Sequence, residues 1–208
     1  METTQLFVLL ASCGNPDFRQ NPNQPISPYQ IAVVTTLDEA SKACREYIEE
    51  HELGGGNWIG GQVYTSLEDM GAHTKVGYIS YNGRPWTSGD TFSYNPSAKI
   101  IKAAQAAHAE NQKPWKIILQ QLGGGHFIAM TGAHGIFRDG DNILIVKFKG
   151  SRAANYLRVE YVPGIDTYNM QMGRTGKSGY KITDQHEGVY ADMLTSLFTS
   201  HTGLNTNL

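Results

Sequence analysis

The stretch MGRTGKSGY, residues 172–180, carries the Gly-Lys-Ser of a phosphate-binding loop and is the first place to look for chemistry. Such a loop wraps phosphates in bare backbone N–H groups, which needs a second glycine five positions before the Gly-Lys-Ser and a helix after it. Gln171 stands at that position, and the strand-like run YKIT follows. The stretch is therefore expected to be an exposed basic turn after the YNMQM strand, without specific affinity for a nucleoside triphosphate.

Other reactive side chains are dispersed. The histidines are His51, His73, His108, His126, His134, His186 and His201, and none falls in an HExxH or HxH ligand pattern. His126 and His134 bracket the MTGA segment and come nearest to a zinc or hydrolytic pair, although isolated histidines are usually structural or solvent-facing. The glycines beside Thr131 in TGAHGIF offer an anion nest or simply turn the chain. Cys13 and Cys44 are too few for a disulfide framework and lack metal-type spacing, so a reducing, cytoplasmic setting is expected. Cys44 lies on the apolar side of a helix pattern, as an inert buried thiol does, while Cys13 sits in a polar loop where a thiol is reachable. There is no Gly-x-Ser-x-Gly elbow and no carboxylate pair whose spacing demands acid/base work. No catalytic residue, metal or cofactor is assigned, and enzyme status stays open, with a binding role favoured.

The net charge of −2 conceals an asymmetry. Between Trp115 and Thr183 nine Lys/Arg face four acids, so that segment is +5 and the remainder −7. A basic block in an acidic chain suits a polyanion-facing surface; solvated lysines on strand exteriors are the plainer explanation. Aromatic residues at 10% and charged residues at 17% describe a folded chain. The N-terminal QLFVLLAS lacks a basic flank and is read as a strand, not a signal peptide, and no apolar run is long enough to cross a membrane.

These residues need elements to hold them. CGNPDFRQNPNQPISP is a long loop and IAVVTT a second strand. Thr36 and Glu39 form a capping box for a helix with Leu37, Ala40, Cys44, Tyr47, Ile48 and His51 at helical spacing, ended at Gly54. GGQVYTS and KVGYISYNGRPW are strand-like, the latter turning at Asn82-Gly83. SGDTFSYNPS is linker-like, and Ser97 to Glu110 is an alanine-rich helix suited to a spacer. In the second half GGGHFIAMTGA, NILIVKFKG, NYLRVEYV and TYNMQM are strand-like, with YKIT extending the set. A final helix opens on an Asp184/Glu187 capping box, carries Val189, Tyr190, Met193, Leu194, Leu197 and Phe198 as its stripe, and closes at Gly203. The expected fold is α+β in two small units: residues 1–90, a linker and helix over 91–114, and a ββββα unit over 115–208 in which an antiparallel sheet is backed by the C-terminal helix.

Period-two alternation sorts the side chains of that sheet. Leu144, Val146, Phe148, Leu157, Val159 and Tyr161 form the core set; Ile143, Ile145, Lys147, Lys149, Tyr156, Arg158 and Glu160 form the open set. Cations that follow phosphates beside rings that stack on bases make a platform for a single strand. The candidate nucleic-acid-binding residues are Lys147, Lys149, Arg152, Arg158, Arg174 and Lys177, with Tyr156 as the stacking ring. Cover by a dimer partner or by the first half is the competing use of the face.

The ββββα order with a basic sheet resembles the single-strand-binding fold of Whirly proteins and positive-cofactor-type transcription coactivators, and KFKGSRAA (147–154) echoes the basic segment of Whirly proteins. LGGGHFIAMTGA, HEGVYADML, ASCGNPDF and SYNGRPW resemble segments of uncharacterised proteins of phages and mobile elements. The resemblances imply a non-enzymatic protein, expected as a homodimer, that binds single-stranded DNA or RNA. The alternatives are a protein-interaction module that inhibits a host defence complex, using Tyr47, Trp58, Tyr78, Tyr81 and Trp86, and a small enzyme acting on a nucleotide signal in a deep pocket with a histidine and a carboxylate.

Overall fold

The computed structural model describes residues 4–87, 95–176 and 179–206, and the chain divides into two compact units, Met1–Glu110 and Asn111–Leu208. The first unit contains β1 (Leu6–Leu10), β2 (Gln30–Val34), α1 (Leu37–Glu50), β3 (Gln62–Tyr64), α2 (Leu67–Gly71), β4 (Gly77–Ile79), β5 (Pro85–Thr87) and α3 (Ala98–Asn111). Its sheet runs β2-β1-β3-β4-β5, antiparallel at every pairing.

Both faces of this sheet are covered. Val8, Leu10 and Val63 pack with Ala40, Cys44 and Tyr47 of α1. On the opposite face Leu9, Ala11 and Tyr64 pack with Met70 of α2 and with Ile101 and Ala104 of α3. The alanine-rich helix expected as a spacer thus closes a core of the first unit, because small side chains let it lie close to the sheet. Most of the anticipated linker, residues 88–94, lies outside the described residues.

Helix α1 starts as its capping box demands: the Thr36 hydroxyl accepts from the Glu39 N–H at 3.1 Å, and Glu39 accepts from the Thr35 N–H at 2.7 Å. Its end differs from expectation. Glu52, not Gly54, takes the left-handed position (φ 50°), and the Leu53 N–H reaches back to the Ile48 carbonyl at 2.9 Å. The Asn82-Gly83 turn is present, with Gly83 at φ 82° between β4 and β5.

The second unit contains α4 (Pro114–Gln121), α5 (Gly124–Thr131), β6 (Gly135–Asp139), β7 (Ile143–Lys147), β8 (Tyr156–Val162), β9 (Thr167–Gly176), β10 (Gly179–Val189) and α6 (Leu194–Thr202). Its sheet is a meander of five antiparallel strands in the order β10-β9-β8-β7-β6. The α+β class and the antiparallel sheet backed by the C-terminal helix agree with the sequence.

Two assignments within the unit change. GGGHFIAMTGA is the helix α5 and its caps, not a strand, with Phe127 buried and Gly132 at φ 62° ending it. A short apolar run flanked by glycines fits either element, and here the glycines are helix punctuation. The Asp184/Glu187 pattern starts no helix: Gln185, His186 and Val189 pair with Gln171, Met170 and Tyr168, so β10 continues to Val189 and α6 begins at Leu194. Of the expected stripe, Val189, Leu194 and Phe198 are buried while Tyr190 and Met193 are exposed, and Gly203 caps the helix at φ 71°.

The core of this unit lies on one face of the sheet. Ile118 of α4 and its C-cap Leu122, Phe127 of α5 and Leu194 and Phe198 of α6 cover Leu144, Val146, Leu157, Val159, Met170 and Met172. The Phe198 ring meets those of Phe127 and Phe148 edge-on at centroid distances of 5.1 and 5.2 Å.

Candidate functional site

The second face of the meander carries the side chains that alternation assigns to it. The register aligns Gly135, Lys147, Tyr156, Gly173 and Ile182 across the five strands, and beside them Phe137, Ile145, Arg158, Gln171 and Gln185. The core residues Leu144, Val146, Leu157 and Val159 are fully buried, while Lys147, Phe137, Tyr180 and Ile182 are exposed.

Two glycines in this array explain its shape. A Cβ on Gly173 would come within 2.7 Å of the Tyr180 ring, and one on Gly135 within 2.7 Å of the Phe137 ring. Each glycine is thus a seat on which an aromatic ring lies close against the backbone. Tyr180, seated on Gly173, reaches Tyr156 with ring centroids 4.5 Å apart. At the other side the Lys147 ammonium sits 5.5 Å from the centre of the Phe137 ring. A band results: Phe137, Lys147, Tyr156, Tyr180. Burial raises the Tyr156 and Tyr180 hydroxyls above the usual phenol range, with Arg158 pulling both the other way, so both rings stay neutral donors at neutral pH.

Beside this band a cleft of about 340 Å³ opens at one end of the sheet, lined by His134, Lys147, Lys149, Gly150, Ser151, Asn155, Arg174 and Thr175. Lys147 belongs to both band and cleft. Asn155 fixes the wall by accepting from the Thr175 N–H at 2.7 Å and donating to the Thr175 carbonyl at 3.1 Å. Arg174 donates to the carbonyls of Ser151 and Arg152 and so ties the 150–153 loop to β9.

The sequence candidates therefore separate. Lys147, Lys149 and Arg174 meet around the cleft, and Tyr156 lies in the aromatic band. Arg158 is on the open face, but it is bonded to Glu160 at 2.8 Å and offers a compensated charge. Arg174 pairs with Lys181 and has the parity of the core face, yet it is exposed and lines the cleft. Arg152 is exposed in the loop, and Lys177 lies outside the described residues. Phe137 and Tyr180 were not singled out from the sequence, and His134 was singled out only as a partner for His126. The usable signal was a glycine two residues from an aromatic on one strand face, as in Gly135-Ile136-Phe137.

The enzyme-like candidates fare differently. His126 lies in the first turn of α5 and His134 beyond its C-cap, so the two do not face each other across a strand. Gly132 caps that helix, and the Thr131 hydroxyl is spent on the Phe127 carbonyl at 2.7 Å. Among the described residues no group of three or more His, Cys, Asp or Glu could hold a metal ion. A cavity of about 440 Å³ in the first unit is lined by Cys13, Tyr29 and Lys99 among others, with neither a histidine nor a carboxylate in its wall. Burial raises the Cys13 thiol above its ordinary range. Of the aromatics proposed for a protein partner, Tyr47, Trp58 and Tyr78 are core residues, while Tyr81 is exposed and donates its hydroxyl to the Leu53 carbonyl. No helix among the described residues is long and apolar enough to cross a membrane. Comparison with protein-family models, with curated proteins and with solved structures finds no match to this chain.

Proposed function

We propose that the second unit binds single-stranded DNA or RNA passively, with little sequence preference and no bond broken. The carrying observation is that the cleft with Lys147, Lys149 and Arg174 adjoins a band of aromatic rings on an otherwise open sheet face. Phosphates take the cleft, where the cations and the Ser151 hydroxyl offer donors. Bases take the rings of Tyr156, Tyr180 and Phe137, since every base has a face to stack. The resemblance to Whirly-type sheets suggests the same use of a basic β-surface, and the phage-like segments suggest a strand exposed during replication or transcription.

The test is a fluorescence titration of a labelled single-stranded oligonucleotide at several salt concentrations. With about three to four cations on phosphates, the logarithm of affinity falls with the logarithm of salt at a slope of roughly −2 to −3. Lys147→Ala with Lys149→Ala flattens that slope by about one to one and a half. Absence of binding at low salt overturns the reading. If instead a second copy of the chain occupies the face, sedimentation shows a dimer that Tyr156→Ala and Phe137→Ala dissociate.

A further inference from the structure

On the opposite face of β10 a second cluster stands apart from the cleft. Strand β10 loses its regular register between Ile182 and Asp184, and this irregularity presents Thr183 to solvent beside the end of α6. The Thr183 Oγ1 lies 2.9 Å from His201 Nε2, and His201 Nδ1 lies 3.4 Å from Asp184 Oδ2. The same carboxylate oxygen receives His186 Nε2 at 2.9 Å. Irregularities of this kind re-aim side chains out of a ladder.

A carboxylate only accepts, so the Nδ1–H tautomer of His201 turns its proton toward Asp184 and its bare Nε2 toward Thr183. In that tautomer Nε2 accepts, and the Thr183 hydroxyl faces it at 2.9 Å and the Met172 carbonyl at 3.4 Å. A hydroxyl, an accepting imidazole and a carboxylate in this order of contacts is the arrangement that activates a side-chain alcohol.

We propose that Thr183 is a nucleophile toward small activated acyl donors, with His201 as its base and Asp184 as the positioning residue. In the forward step the Thr183 Oγ1 bonds to the acyl carbon, its proton passes to His201 Nε2, and the bond to the leaving group breaks. The leaving group departs with the proton from His201, and an ester remains on Thr183. Water then attacks that ester through the same base, releases the carboxylic acid and restores the hydroxyl. The cluster does not rest on the nucleic-acid reading, and failure of either leaves the other standing.

The experiment exposes the intact protein to a fluorophosphonate probe, whose phosphorus takes the place of the acyl carbon and whose fluoride leaves. Intact mass and peptide mapping report the adduct. The expected result is a single adduct on Thr183, retained in Thr183→Ser and absent from that peptide in Thr183→Ala. His201→Asn lowers the labelling rate by about 100-fold or more, in the range a general base contributes. Asp184→Asn lowers it as well and changes its dependence on pH, which a purely structural role would not. Thermal melting of each variant confirms that it is folded. No adduct at Thr183 in the wild-type protein, or labelling of folded His201→Asn at the wild-type rate, overturns the proposal.

Discussion

Strand β1 in the first unit and strand β7 in the second have the same length and nearly the same apolar content, LFVLL and ILIVK, yet they occupy opposite situations. Leu9 and Val8 point to different faces of one sheet and both are fully buried, because α1 covers one face and α3 with α2 the other. In β7 only Leu144 and Val146 are fully buried, while Ile143 and Ile145 lie on the face that the unit's helices leave open. Composition of a strand does not say whether its second face is free; the partner strand does. β8 places Tyr156, Arg158 and Glu160 on the same side as Ile145, and such residues mark a face that meets water or a ligand.

The largest expected effects test this asymmetry directly. A lysine at position 8 or at position 9 buries an unpaired charge whichever face it enters, so Val8→Lys and Leu9→Lys each cost several kcal/mol and abolish cooperative melting of the first unit. In β7 the cost alternates. Leu144→Lys unfolds the second unit, whereas Ile145→Lys changes its stability by about 1 kcal/mol or less. Equal losses at positions 144 and 145 would mean that the second face is covered after all.

The units also separate at alkaline pH. Burial pushes the Cys44 thiol from 9.0 up to about 12, and that of Tyr64 pushes its hydroxyl from 10.0 up to about 12. Both groups belong to the first unit. A group that the fold keeps protonated contributes its full stability below its unfolded pKa and loses it as pH rises toward the folded value. The first unit is therefore expected to weaken between about pH 9 and pH 12, by as much as about 4 kcal/mol from the thiol. Cys44→Ala flattens this limb in denaturant titrations taken at stepped pH. The second unit contains no cysteine and should show the shallower dependence. At neutral pH a maleimide should reach Cys13, half-exposed in its loop, well before Cys44.

A smaller effect belongs to the open face itself. Tyr156→Ala removes the central ring of the band, and binding of a single strand should weaken by roughly 1 to 3 kcal/mol if that ring carries a base. Arg158→Ala should change affinity little, because Glu160 already compensates the guanidinium. The reverse ranking would move the bases away from the rings and the phosphates onto Arg158.

Much of this was legible in the sequence. Alternation located the in and out sets of β7 and β8, and the α+β class followed from element order. The cleft was not legible, because its walls come from four separated places: His134, the end of β7, the 150–155 loop and the far end of β9. Local patterns missed it for the same reason that they misassigned α5. Eight residues of GGHFIAMT have no period that distinguishes strand from helix, and the decision is made by Phe127 finding Phe198, which is distant in sequence and also meets Phe148. The folded unit also uses an expected cap as a strand, which pattern alone could not foresee.

The two capping-box patterns give the finest comparison and the smallest effect. Thr36/Glu39 and Asp184/Glu187 are equally good on paper. The first works because the chain before it turns away from β2, leaving the N–H groups of α1 without sheet partners, and Thr36 supplies the acceptor. In the second the same spacing falls inside β10, where Asp184 pairs with Met172 and Glu187 lies at a register irregularity, and Asp184 is turned to His186 and His201 instead. Thr36→Ala should therefore destabilise the first unit by about 1 kcal/mol, while Glu187→Ala should leave the second within about 0.5 kcal/mol of wild type. The Thr35 backbone N–H, then its hydroxyl, hold the Glu39 carboxyl below its ordinary range. Its contribution is thus complete above the usual glutamate pKa and fades as the solution is acidified through the lower folded value. Denaturant midpoints of Glu39→Gln and Glu187→Gln at neutral and acidic pH check the pair: the Glu39 variant should differ from wild type at neutral pH and converge with it in acid, and the Glu187 variant should track wild type at both.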